Sequence, residues 1–269
     1  MSDTERSLEF EIEVAGTPEE VWQAVATGPG ITSWYVPHRV EEKEGGHAVA
    51  RFGPGPEMEV PGRVAAWEPP NRIVFDGGEG VDGLAFEWVV EAAGGGHCVV
   101  RLINSGFGVG DPWDDLYDGM SEGWRMFLLN LQLHRRHFPG QTATPMLPTA
   151  SLAGPRDRAW KELLGALGQD EQPTVGDRIE LGGDDGELPR FAGEVVDVAT
   201  HRIALVLDAP APATAFIAAE GRPGAPHIEG SIWSYLYGPD QEAIAERDEP
   251  RWAAWLAARA VDPEAPPTA

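Results

Sequence analysis

The chain has 269 residues, 42% of them hydrophobic and 24% charged, an ordinary globular composition with length for two cores. Its 44 acidic and 20 basic residues leave a net charge of −24, which argues against nucleic acid and anionic membrane surfaces, both of which need clustered Lys and Arg. One cysteine, Cys98, excludes an internal disulfide; with no signal pattern in Met1–Ser7 and no apolar run of about 18 residues, the expected setting is cytoplasmic.

In chain order, Leu8, Phe10, Ile12 and Val14 alternate with Glu9, Glu11 and Glu13, the period of a strand with one wet face. A helix follows over Thr17–Thr27, opened by Thr17-Pro18-Glu19-Glu20, and then a loop, Gly28-Pro29-Gly30-Ile31. Strands are predicted near Arg39–Glu44, His47–Phe52, Glu59–Glu68, Arg72–Gly77, Leu84–Ala92 and Cys98–Asn104, joined by turns such as Gly53-Pro54-Gly55-Pro56. Asp111 is the expected N-cap of a long helix reaching about Phe138, with Pro112 at its first position. Its apolar positions Leu116, Met120, Trp124, Phe127, Leu131 and Phe138 form one stripe, and His134 falls on it.

Residues 141–152, aperiodic and carrying two prolines, are expected as a linker between a first domain over 1–140 and a second over 153–262. The second is predicted to hold a helix opening at Gly154-Pro155, strands at Arg178–Leu181, Gly193–Val198, Arg202–Leu207, Thr214–Ala219 and Ile228–Tyr237, and a last helix over Asp240–Ala260. Residues 263–269 read as a flexible tail.

The two halves echo one another. Gly62–Asp76 aligns with Gly193–Leu207, and one deletion in the Pro69-Pro70-Asn71 turn brings Arg72-Ile73 onto Arg202-Ile203. A repeat this long implies tandem domains rather than a solenoid. The first copy keeps the aromatic set; in the second, Val198 stands where Trp67 stood.

The strand Leu8–Val14, the helix opening Thr17-Pro18-Glu19-Glu20-Val21-Trp22, the segment Ile31-Thr32-Ser33-Trp34-Tyr35, the Gly62–Asp76 hairpin and the helix containing Glu122-Gly123-Trp124 together resemble the START-like (SRPBCC, Bet v 1-type helix-grip) superfamily. The branch they are most similar to is the C-terminal domain of the activator of heat shock protein 90 ATPase. The resemblance implies an α+β helix-grip fold, a curved antiparallel sheet wrapped around a long C-terminal helix, with a second, degenerate helix-grip-like domain behind it. It also implies a cavity between sheet and helix for an apolar or amphipathic ligand. Family functions range from lipid binding to polyketide cyclisation and co-chaperone work, so the fold alone does not choose among them.

On that frame the expected ligand is a small apolar or aromatic molecule. The expected walls are Trp34, Trp67, Phe86, Trp88, Arg101, Trp124, Phe127, Leu131 and His134, drawn from the helix stripe and from the strand faces Phe86-Trp88-Val90 and Val99-Arg101-Ile103. Arg101 has two readings, a carboxylate partner in the pocket or a cross-strand pair with Glu87 or Glu91, and the pair is preferred. His134 is the titratable group on the stripe and the one catalytic candidate, as acid or base of a cyclase or hydrolase; a capping histidine bonded to backbone is the preferred reading. No cofactor is expected: His134 and His137 lack a third metal ligand, and Gly106-Phe107-Gly108-Val109-Gly110 has the wrong spacing for a dinucleotide. A co-chaperone-like interaction module is the remaining alternative, although the first strand already begins at Leu8, where the eukaryotic co-chaperone carries a further N-terminal domain.

Overall fold

A computed structural model describes residues 6–53, 55–78, 83–182, 188–222 and 224–262. The tail expected over 263–269 and Pro54 of the predicted turn lie outside the described residues. The chain forms two compact units, up to Thr142 and from Ala143.

The first unit runs β1 (Arg6–Ala15), α1 (Pro18–Ala26), α2 (Gly28–Thr32), β2 (His38–Val40), β3 (His47–Arg51), β4 (Glu59–Glu68), β5 (Arg72–Asp76), β6 (Ala85–Gly94), β7 (His97–Phe107) and α3 (Asp111–His137). Its strands make one antiparallel sheet in the order β1-β7-β6-β5-β4-β3-β2, so the first strand closes on the last of the meander. In β1 the acidic residues face out while Leu8 and Val14 are buried; these two stand opposite Asn104 and Cys98.

α1 begins where the sequence places it, because Thr17 and Glu20 form a reciprocal capping box. The expected loop after it is instead the five-residue helix α2. Thr27 Oγ1 accepts from Gly30 N at 3.1 Å and Pro29 sits in the first turn, so a Gly-Pro pair that reads as a breaker begins a new helical turn. The strand expected over Arg39–Glu44 stops at Val40. α3 covers the predicted span but is capped by Gly110 at φ 102, with Asp111 already helical. It crosses the sheet against β1, where Gln132 Nε2 donates to Glu13 O and Arg135 Nε to Ala15 O, both at 3.0 Å. No helix among the described residues is long and apolar enough to cross a membrane.

The second unit runs β8 (Thr144–Met146), β9 (Thr149–Ala153), α4 (Arg156–Ala166), β10 (Arg178–Leu181), β11 (Phe191–Ala199), β12 (Arg202–Ala209), β13 (Ala213–Glu220), β14 (His227–Leu236) and α5 (Gln241–Ala257). The segment expected as a linker therefore carries two strands. Both pair with β14 in a single register, Met146 opposite Ser234 and Leu152 opposite Ile228, and are parted only at Leu147-Pro148. They are one first strand interrupted by proline, and the proline content is what disguised it. The order β10-β11-β12-β13-β14, closed by β8 and β9, repeats the topology of the first sheet.

The hairpin echo survives at atomic detail. In β4–β5 Trp67 pairs with Ile73 and the register slips between Val64 and Ala66; in β11–β12 Val198 pairs with Ile203 and the register slips between Val195 and Asp197. A β-bulge falls at the same place in each copy, and bulges are built-in features of a fold rather than accidents. The second unit's interior is a continuous apolar cluster that includes Trp160, Phe191 and Trp252.

Candidate functional site

The first unit encloses a hollow of about 130 Å³ between sheet and α3. α3 contributes Trp124, β6 contributes Phe86 and Trp88, and Trp34 and Tyr35 enter from the segment after α2. His38 of β2 and Ala50 of β3 complete the wall, and Phe52 and Val60 stand at its edge with 47% and 54% of their surface exposed.

The rings are held from behind. Trp34 Nε1 donates to Ala24 O at 2.9 Å, and Trp124 Nε1 donates to Asn104 Oδ1 at 3.2 Å while Asn104 Nδ2 donates to Ala85 O. Asn130 Nδ2 reaches Trp34 O at 2.9 Å, tying α3 to the same segment. Around the hollow the rings meet edge to face: Trp34 and Trp88 at 5.5 Å between centroids, Trp88 and Trp124 at 5.6 Å, Phe86 and Trp124 at 5.8 Å. Such contacts contribute about 0.5–1.5 kcal/mol each beyond area burial.

Two lining residues carry the polarity, and pattern reading missed both. Tyr35 lies 4.4 Å from the Phe127 ring and 5.1 Å from Trp124, and burial pushes its phenol pKa up. His38 stacks obliquely on Tyr35 at 5.4 Å, with its Nδ1 2.8 Å from Val36 O. Burial pushes the His38 imidazole down to about 4, against the opposing pull of that carbonyl, so it is neutral at pH 7. The signal in the sequence is the dense run Trp34-Tyr35-Val36-Pro37-His38, of which only Trp34 is among the expected walls.

The nine expected site residues divide. Trp34, Phe86, Trp88 and Trp124 come together around the hollow. Phe127 backs Tyr35, and Leu131 is fully buried in the core. His134 is 3% exposed and is not a lining residue; burial, and then the Arg135 charge, push its pKa down to about 4. Trp67 packs edge-on against Trp22 at 5.0 Å, away from the hollow.

Arg101 lies on the outer face of β7 and pairs with Glu11 at 3.1 Å. The correction follows from register: Cys98, Val100, Leu102 and Asn104 are buried, which turns Val99, Arg101 and Ile103 outward. The cross-strand pair is of the preferred kind, with its partner on β1 rather than β6. Cys98 is a buried thiol donating to Gly16 O at 3.3 Å, its pKa raised by burial. Among the described residues no three metal-ligating side chains cluster.

Residues 15–134 match the family described as Activator of Hsp90 ATPase homolog 1-like protein. No curated protein matches the sequence. Among solved structures, the chain is similar to the di-domain ARO/CYC BexL from the BE-7585A biosynthetic pathway, at 18% identity over 97% of this chain and 100% of that one, with a TM-score of 0.45. It is similar to DynU16 of the dynemicin biosynthetic locus, at 17% identity over 94% and 96% of the two chains, with a TM-score of 0.41. It is also similar to the Aha1 dimer from Colwellia psychrerythraea, at 19% identity over 50% of this chain and 99% of that one, with a TM-score of 0.42. The family match over residues 15–134 thus lies within the first unit, whose first strand closes on β7 and whose α3 lies across the sheet, and the second unit repeats the same strand topology.

Proposed function

We propose that the first unit binds a small apolar or aromatic molecule in the hollow beneath Trp124, Trp88 and Trp34. The observation that carries this reading is the unfilled space itself, bounded by aromatic rings, of which Trp34 and Trp124 have their indole N–H groups bonded away from it. The hollow opens at Phe52 and Val60 and is otherwise walled mostly by apolar side chains, so a small molecule could enter it and bury apolar surface there. Apolar hollows with a few placed polar groups are the usual form of small-ligand sites. A cytoplasmic setting suits the single buried thiol of Cys98.

Binding is favoured over turnover by the chemistry of the wall. Among the described residues no carboxylate, lysine, arginine, cysteine or serine lines the hollow, and a histidine with a pKa of about 4 is a weak base at neutral pH. His134, the candidate acid or base, is not among the lining residues.

The test fills the space. Titration of the full chain with toluene, followed by tryptophan fluorescence and calorimetry, is expected to give saturable binding, and Ala50→Phe is expected to abolish it while far-UV circular dichroism stays unchanged. Arg101→Ala, on the outer face, is the control and should bind as the parent does. Unaltered affinity in a folded Ala50→Phe protein would sink the reading.

A further inference from the structure

We infer that the ligand is a neutral hydroxylated aromatic of about one ring, whose hydroxyl donates to His38 Nε2. This rests on the reading that the hollow is the binding site, and it adds a chemical class to it.

The hydrogen bond behind His38 fixes its role. Val36 O can only accept, so the Nδ1 lying 2.8 Å from it carries the ring proton. In a neutral imidazole that leaves Nε2, across the ring, as a lone pair that can only accept, and burial favours the neutral form. Among the described residues no protein group bonds to it.

Two further lining groups are available. The Tyr35 hydroxyl has no protein partner among the described residues, and neither does the Trp88 indole N–H, whereas Trp34 and Trp124 spend theirs on Ala24 O and Asn104 Oδ1. The hollow therefore offers one acceptor at His38, one donor at Trp88 and one group of either kind at Tyr35. A hydrocarbon would leave all three desolvated and unmatched, and a site built around a hydroxyl rejects the analogue that lacks it.

Charge and size narrow the class. Among the described residues no Lys or Arg lines the hollow, so a carboxylate would be buried there without a counter-ion. The volume of about 130 Å³ is close to the ~150 Å³ of an engineered cavity that accepts benzene, which sets the scale at one aromatic ring.

Phenol, toluene and benzoate form the decisive series, because phenol and toluene differ only by hydroxyl against methyl. Calorimetry on the full chain is expected to show phenol at least tenfold tighter than toluene and benzoate below detection. His38→Leu should bring phenol to within about twofold of toluene without weakening toluene. Because that variant could misfold, the parent protein labelled with 15N-histidine supplies a second readout. Its His38 Nε2 resonance should move on adding phenol and stay in place with toluene. Equal affinities for phenol and toluene, tighter binding of benzoate, or an unmoved Nε2 resonance at saturating phenol would overturn the inference and leave apolar binding standing. Failure of both phenol and toluene to bind would overturn the binding reading itself.

Discussion

A histidine that gives up its charge on folding makes stability depend on pH, and His134 is the clearest instance. In the unfolded chain it titrates near 6.5; folded, it titrates at about 4 because burial and the neighbouring Arg135 both disfavour the cation. The folded state therefore binds fewer protons between those values. The stabilisation is complete above pH 6.5 and is lost as pH falls toward about 4, where the loss amounts to about 3 kcal/mol. His38 acts in the same direction for the same first cause. Asp76, whose carboxylate is held down mainly by Arg63, adds a further loss at lower pH. Urea midpoints measured from pH 7 to 4 should fall steadily, and His134→Gln should flatten that slope by about one proton. An unchanged slope would mean that His134 is charged inside the fold. Sequence periodicity put His134 on the buried stripe correctly, but it could not say which buried residues border empty space. That depends on how α3, β2 and β6 meet, and those contacts are separated by many residues. Tyr35 and His38 escaped notice for that reason.

At the scale of elements, the twin hairpins carry the plainest record of duplication, and each contains a glycine that its partner strand requires. A Cβ added at Gly62 would stand 2.9 Å from Asp76 O; one added at Gly193 would stand 2.2 Å from Val206 O and 2.8 Å from Leu207 Cα. The equivalent glycine meets the equivalent carbonyl in each copy, more tightly in the second. Gly193→Ala should therefore destabilise by about 2–3 kcal/mol and Gly62→Ala by about 1 kcal/mol or less, read from denaturant midpoints. The reverse ranking would show that the first hairpin, not the second, is the less able to give way. Strand and helix positions were legible because alternation and 3.6-residue stripes are local, and β4 and β10 fall where the pattern puts them. The differences share one physical origin: in sequence, proline and glycine read as breaks. In α2 they begin a turn capped by Thr27, and between β8 and β9 proline alone interrupts a strand whose register β14 preserves. The outward turn of Arg101 was a question of sheet face, decided by which side of β7 met α3.

For the whole molecule, a net charge of −24 spread over 269 residues sets like charges against one another in the compact state. Raising salt from about 10 to 150 mM shortens the screening length from about 30 to about 8 Å, so the thermal midpoint should rise by several degrees with NaCl and by a similar amount with KCl. A midpoint that falls or stays level would mean that the exposed ion pairs, such as Arg39 with Glu59 and Arg101 with Glu11, outweigh the repulsion. The same acidic surface leaves neutral molecules free to approach the Phe52 and Val60 edge of the hollow. The hydrogen bonds that pin the Trp34 and Trp124 indoles from behind then acquire a kinetic meaning. Rings anchored at their far edges cannot swing inward, so the hollow keeps its form without being filled, and a molecule that bound there would find little ordering left to be done. If the proposed binding holds, its rates belong to the exposed rim, at the side chains of Phe52 and Val60, rather than to the walls.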